Sequence, residues 1–135
     1  MNWKINFCKM ILVISLGLFL MSCGGGIPLS KGEGWLDSKK DTPTINISGN
    51  WDSPEWGRGK FKQENRDMEG VLGDYPVKGV VSGNTVYLLM YSDKKVDYSA
   101  ELSALDKDTF KGFYSKYSIV EEEKNKKPIN LKRLK

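Results

Sequence analysis

The stretch that decides the fold is residues 85–103, TVYLLMYSDKKVDYSAELS. In its second half the even positions of 96–102 are apolar and the odd positions are polar, which is typical of a strand with one buried face. Residues 86–91 are apolar on both faces, so we expect the outer side around Leu89 either to be covered or to form an exposed hydrophobic patch. The connector 92–95 is short enough to predict an antiparallel hairpin.

The same pattern of short alternating segments and turn residues extends over residues 45–135. It predicts an all-β domain with eight antiparallel strands, at residues 45–51, 57–65, 68–75, 77–82, 85–92, 96–103, 109–117 and 128–134. Short connectors can join only neighbouring antiparallel strands, which gives a meander. Glycines inside several strands favour the bending that closes a meander, so we predict a small eight-stranded up-and-down barrel.

Residues 119–127, IVEEEKNKK, fit the strand pattern least. They either extend the seventh strand or form a charged loop before the eighth. We prefer a strand extension that fades into a loop.

The first 22 residues have the order of an export signal. Lys4 and Lys9 precede an apolar run at 10–21, and the small residue Ser22 stands before Cys23. The run has only 12 residues, whereas a membrane-spanning helix needs about 20. We therefore predict a signal helix rather than a permanent transmembrane anchor.

The end of this signal, Leu20-Met21-Ser22-Cys23, resembles the lipobox of bacterial lipoproteins. The resemblance implies cleavage before Cys23, acylation of its thiol, and a location in the cell envelope. Because Gly24 rather than Asp follows the cysteine, it also implies the outer membrane if the host has two membranes. The alternatives are an ordinary signal peptide or a hydrophobic segment with an incidental cysteine. The agreement of charge, length, small residue and cysteine favours the lipoprotein.

Residues 23–44 are rich in Gly, Ser, Lys and Pro and show no sustained period. We interpret them as a flexible tether between the lipid and the barrel. Trp35-Leu36 is the one apolar pair in this stretch. The pair docks on the barrel, anchors at a membrane interface or does neither, and we favour docking.

The amino-acid composition argues against several classes of function. Removal of residues 1–22 leaves 113 residues, enough for one domain, and lowers the formal charge from +4 to +2, so charge gives no reason to expect nucleic acid as a partner. Residues 24–135 contain no cysteine, and the chain has no histidine, the commonest general base and metal ligand. We therefore expect no metal, no cofactor and no catalysis. The acidic clusters stand at turns or in a charge run, where we expect solvent: Asp52 with Glu55, Asp67 with Glu69, Asp106 with Asp108, and Glu121 to Glu123.

Gly49-Asn50-Trp51 at the first strand and Arg133 on the last are similar to the pattern of the calycins, the lipocalins and related small barrels. The resemblance implies that Gly49 and Trp51 open the barrel and that Arg133 packs across the indole at one end. The domain is shorter than a typical lipocalin. Eight strands enclose either packed side chains or one small ligand, and we favour a filled core.

Aromatic and apolar residues on the predicted inner faces are the candidate ligand contacts: Trp51, Phe61, Leu88, Met90, Tyr98 and Tyr114. Most are expected in the core, although tyrosines can also line a mouth that binds a flat ligand. Two hypotheses follow. The first is a non-enzymatic, membrane-anchored barrel that binds a small apolar ligand or an envelope partner. The alternative is an interaction or inhibitor module with a filled core, which docks a protein through residues 86–91 and rim aromatics.

Overall fold

The computed structural model describes residues 25–135, so the predicted signal and Cys23 lie outside the described residues. The described chain forms one α-helix, eight strands and one 3-10 helix. In chain order they are α1 (Leu29–Asp37), β1 (Gly49–Ser53), β2 (Gly57–Glu64), β3 (Asp67–Leu72), β4 (Tyr75–Ser82), β5 (Thr85–Ser92), β6 (Lys95–Asp106), β7 (Thr109–Lys116), the 3-10 helix (Val120–Glu122) and β8 (Lys127–Arg133).

The strands form a closed antiparallel barrel in which each strand pairs with the next along the chain. β8 returns to β1 through the pairs Trp51 with Arg133 and Asp52 with Lys132. At Gly112 the neighbouring strand is so close that a Cβ atom would collide with the carbonyl oxygen of Glu101. The predicted eight-stranded meander barrel is therefore confirmed.

The antiparallel meander gives the barrel two distinct ends. One end carries the β1–β2, β3–β4 and β5–β6 turns and the segment 117–126, and we call it the aromatic end. The other carries the β2–β3, β4–β5 and β6–β7 turns, the start of β1 and the end of β8, and we call it the arginine end.

Side chains fill the barrel interior. The inward positions of all eight strands contribute to one cluster of buried residues: Ile47, Trp51, Phe61, Met68, Leu72, Val77, Val81, Val86, Leu88, Met90, Ala100, Leu102, Phe110, Ile129 and Leu131. At its centre Trp51 and Phe110 pack edge to face, with ring centroids 5.2 Å apart. This favoured arrangement of aromatic rings leaves the lumen packed like a protein core.

A second apolar cluster lies outside the barrel, beneath α1. Trp35 and Leu36 of the helix are buried with Val80 and Leu89 of the barrel wall, and Leu89 is fully inaccessible. The apolar outer face of β5 is therefore covered, which is one of the two outcomes expected from its sequence. The favoured docking of Trp35-Leu36 is confirmed.

The interpretation of residues 23–44 as a wholly flexible tether needs correction. Ile27 forms a β-bridge with Val96, and α1 follows within the same stretch. Two ion pairs also join this stretch to the 3-10 helix: Lys31 of α1 pairs with Glu122, and Lys39, which follows α1, pairs with Glu121. The sequence shows no strong helical period, so this helix owes its stability to tertiary contacts rather than to intrinsic helix propensity.

The preferred strand extension over 119–127 is wrong. Tyr117 takes a left-handed backbone conformation, with φ of 63°, and turns the chain off β7. The Ser99 hydroxyl then donates to the Ser118 carbonyl at 2.7 Å and accepts from the Val120 amide at 2.8 Å. These bonds fold the segment over the outer face of β6.

The predicted common face of residues 96–102 is wrong at Val96. Tyr91 pairs with Val96 and Met90 pairs with Tyr98, so Asp97 is the extra residue of a bulge. The bulge reverses the facing of the strand before it. Val96 therefore joins the outer cluster, while Tyr98 points inward.

Candidate functional site

Four aromatic side chains close the aromatic end of the barrel. Trp56, from the β1–β2 turn, packs edge to face against Tyr75, Tyr98 and Tyr114, with centroid distances of 5.3, 4.8 and 5.1 Å. Each tyrosine comes from a different strand, and each packs against the core cluster near this end of its strand. The four rings together cover the packed core at this end of the barrel.

The indole of Trp56 carries an unused hydrogen-bond donor. Its Nε1 atom is buried and has no hydrogen-bond partner within the described residues. Aromatic ring faces accept such a donor only weakly. A group that displaced a tyrosine ring and offered an acceptor would find this donor available.

A pocket of about 390 Å³ opens beside the cluster, between β6, β7 and the start of β8. Two tyrosine rings and a set of polar side chains line it: Tyr98, Tyr114, Ser115, Lys116, Glu123, Asn125 and Lys127. Its size falls in the usual range of small-molecule sites, about 300–1,000 Å³. The site thus combines flat apolar faces with groups that can donate hydrogen bonds.

The pocket holds both signs of charge, with the acid tied to its own loop. Glu123 accepts hydrogen bonds from the Asn125 amide and the Ser118 hydroxyl, each at 3.1 Å, and these bonds lower its pKa. Burial raises the pKa of Tyr98, so its phenol is neutral at physiological pH. Lys116 and Lys127 remain as cations that can meet an anionic or acceptor group.

The candidate ligand residues from the sequence separate into two groups. Trp51, Leu88 and Met90 are fully buried in the core cluster, and Phe61 is buried there as well. Tyr98 and Tyr114 are the two that line the pocket.

The polar pocket residues Lys116, Glu123, Asn125 and Lys127 were not among the candidates. Lys116 lies two residues after Tyr114 on β7, and this alternation was the one signal that could have identified it. Glu123, Asn125 and Lys127 follow the turn at Tyr117, and no feature of the sequence predicts the left-handed conformation of that residue.

At the arginine end, Arg133 lies across Trp51, with its guanidinium carbon 4.3 Å from the ring centroid. It also bonds to the Asn46, Ser48 and Lys107 carbonyl oxygens and to the Asp108 carboxylate. Gly49 faces this group, because a Cβ there would lie 2.9 Å from Arg133 Nη1. This is the arrangement that the calycin resemblance implies, and it closes the barrel structurally.

The acidic residues for which the structure shows hydrogen bonds or ion pairs have structural roles. Burial alone would raise the pKa of Glu55, but hydrogen bonds from the Asn130 side chain and amide lower it. Asp108 pairs with Arg133 at 3.0 Å. The pKa of Glu101 is raised by burial and then by the charge of Glu121, but this carboxyl lies on the outer face of β6. None of these three carboxyl groups lines the aromatic pocket.

Within residues 25–135 there is no group of three or more side chains suited to hold a metal ion. No helix of this range has the length and apolar character needed to cross a bilayer. Comparison of the chain with protein-family models, curated proteins and solved structures finds no match. The function must therefore be argued from the site.

Proposed function

We propose that this protein is a non-enzymatic binding protein of the cell envelope, held on a membrane by lipid on Cys23. It binds at the aromatic end of the barrel rather than inside it. The observation that carries this proposal is the filled lumen beneath an open, aromatic-lined pocket. The first hypothesis from the sequence is thereby kept, with its binding site moved from the interior to one end.

The chemistry of the pocket indicates the kind of group that fits it. Tyr98 and Tyr114 offer ring faces for a flat apolar group. Lys116, Lys127 and Asn125 supply hydrogen-bond donors beside those rings. The matching ligand has a planar or apolar part next to an anionic or acceptor group.

An interaction or inhibitor module is the second candidate, and the same filled core supports it. Its docking surface differs from the one expected, because α1 covers Leu89 on the outer face of β5. Tyr117 at the rim of the aromatic end, which is 49% exposed, and Phe113 on the adjoining outer face of β7, which is 46% exposed, take its place.

Photo-crosslinking in whole cells distinguishes the two candidates. A photoreactive amino acid replaces Asn125 at the pocket or, as a matched control, the exposed Asn84 in a turn at the arginine end. A protein adduct at position 125 but not at 84 supports the interaction module. A small molecule that co-purifies with the full chain, and is lost in Tyr114→Ser, supports the ligand-binding protein. If no protein adduct forms at position 125 and no small molecule co-purifies, binding at this end is contradicted.

The lipid anchor has its own test. Mass spectrometry of the chain purified from membranes should show an amino-terminal peptide that begins at Cys23 and carries acyl chains. Cys23→Ala should accumulate as uncleaved precursor, because processing of such signals needs the modified thiol. An unmodified thiol at Cys23 in the mature chain would contradict lipid anchoring.

A further inference from the structure

The chain joins the barrel almost immediately after the predicted lipid site. The Ile27 amide donates to the Val96 carbonyl at 2.8 Å, near the start of β6. Gly25 lies against Tyr117, because a Cβ built on it would be 3.7 Å from the ring carbon Cε2. Both contacts are at the aromatic end.

Covalent geometry then limits how far the lipid can be from this end. Cys23 precedes Gly25 by two residues, and two residues span at most about 7 Å. A strand of eight residues such as β7 is about 26 Å long. A lipid on Cys23 is therefore much closer to the aromatic end than to the arginine end.

The surface around this point suits a membrane interface. The ring of Tyr117 is 49% exposed, and Lys116 Nζ lies 4.9 Å from its centroid. Asp93 and Lys94 both take positive φ, 47° and 66°, in the tight β5–β6 turn, which leaves the exposed Lys94 at its tip. Tyrosine prefers the headgroup region, and lysine is attracted to anionic lipids.

The charge of this surface is small. Lys94, Lys95 and Lys116 stand beside Asp93 and Asp97, so these five residues sum to +1. Electrostatic attraction therefore only supports the contact, and the acyl chains with their short connection supply most of the attachment.

We infer that the aromatic end of the barrel faces the anchoring membrane and that the lipid headgroup layer contacts Tyr117 and Lys94. This inference rests on the proposed lipid on Cys23. The pocket beside Tyr114 then opens next to the headgroups, and the arginine end points away from the membrane.

Fluorescence quenching from the headgroup layer tests this orientation. Cysteine is introduced at Lys94 at the aromatic end or at Lys107 in the matching exposed turn of the arginine end. The mature chain has no other free thiol once Cys23 is acylated, so each label is unique. The labelled, acylated chain is reconstituted in phosphatidylcholine–phosphatidylglycerol vesicles that contain a lipid with a spin-labelled headgroup. We expect quenching at 94 to be several-fold stronger than at 107.

A longer connection separates the effect of the anchor from other causes. Inserting about twelve Gly and Ser residues between Gly24 and Gly25 adds a flexible span of about 20 Å and should reduce the difference between the two labels. The acylated protein with equal quenching at both positions would overturn the orientation alone. A chain without acyl groups would overturn the lipid anchor as well. A label at 94 that is shielded in native membranes but unquenched in vesicles would overturn the lipid contact in favour of a protein partner.

Discussion

Replacing Leu88 by Ala tests whether the lumen is filled, because the proposed location of the binding site depends on a filled lumen. Leu88 is fully buried in the middle of β5, and its partners across the two neighbouring strands, Gly79 and Ala100, are small. The substitution removes three buried carbon atoms, or about 2.4 kcal/mol at about 0.8 kcal/mol per methylene. Neighbours relax only partly into the cavity, which brings the expected loss of unfolding free energy to about 3–4 kcal/mol.

Urea unfolding of residues 24–135, followed by tryptophan fluorescence, measures this loss. Leu105→Ala is the matched control, because Leu105 is 62% exposed on β6 and should change the unfolding free energy by less than about 0.5 kcal/mol. If Leu88→Ala costs less than about 1 kcal/mol, the side chain lines an open lumen instead of a packed core. An open lumen would then be available to a ligand, which would refute the proposal that binding takes place only at the aromatic end.

Three further predictions concern the elements that hold the barrel together. Partial burial would raise the pKa of Glu121, but the favourable contacts led by the hydrogen bond from Lys39 together outweigh it and lower this pKa. The Glu121 carboxylate therefore contributes stability above its ordinary pKa of 4.5, and this contribution is lost as pH falls through the lower folded value. Thermal unfolding of Glu121→Gln should depend less on pH in that acidic range, and an unchanged dependence would argue against the pair. Arg133→Met should lower the melting temperature by several degrees, because it removes a cation–π contact worth about 0.5–2 kcal/mol together with the guanidinium hydrogen bonds at this end of the barrel. Arg133→Lys should recover only part of this loss, because lysine lacks the planar fork of hydrogen-bond donors, and full recovery would contradict a role for that fork. Gly34 is exposed in α1 with open space around it, so Gly34→Ala should raise the free energy of unfolding in urea by about 0.5–1 kcal/mol. Gly32→Ala should raise it less, since its Cβ would lie 3.0 Å from a Leu89 methyl. Equal increases for the two variants would mean that the helix is not docked.

The barrel was predictable because its signals are local. Alternation with a period of two places each strand, and short connectors permit only neighbouring antiparallel pairs. Closure followed from glycines such as Gly112, where the next strand leaves no room for a side chain. Gly49, Trp51 and Arg133 were predictable as a set only through the resemblance to the calycin pattern, in which such residues stand on the first and last strands.

The helix and the turn after β7 were not predictable in the same way. Residues 29–37 contain two glycines and are preceded by Pro28 without a side-chain cap, so nothing in the sequence marks a helix there. Its stability comes from packing of Trp35 and Leu36 on the barrel wall, which sequence can suggest only as one apolar pair. The bulge at Asp97 is likewise a feature of pairing between strands and leaves no local pattern.

The candidate site was half predictable for a related reason. Alternation identifies which side chains point inward, but it does not tell whether their summed volume fills the barrel. Trp51, Leu88 and Tyr98 have the same inward pattern, yet the first two are fully buried and the third lies beside a pocket. The difference is their distance from the barrel end, which depends on strand register.

The covered face of β5 removes one of the surfaces proposed for a partner. In sequence, residues 86–91 are the most apolar surface segment, and a docking site would ordinarily be sought there. In the structure the outward Leu89 of this strand is already buried under Trp35 and Leu36, so its hydrophobicity is used within the chain. Just before this helix, the bridge from Ile27 to Val96 fixes the chain four residues after Cys23, so the proposed lipid on Cys23 would lie close to the aromatic end. The docked helix therefore removes one candidate surface, and the segment just before it places the other next to the proposed lipid site.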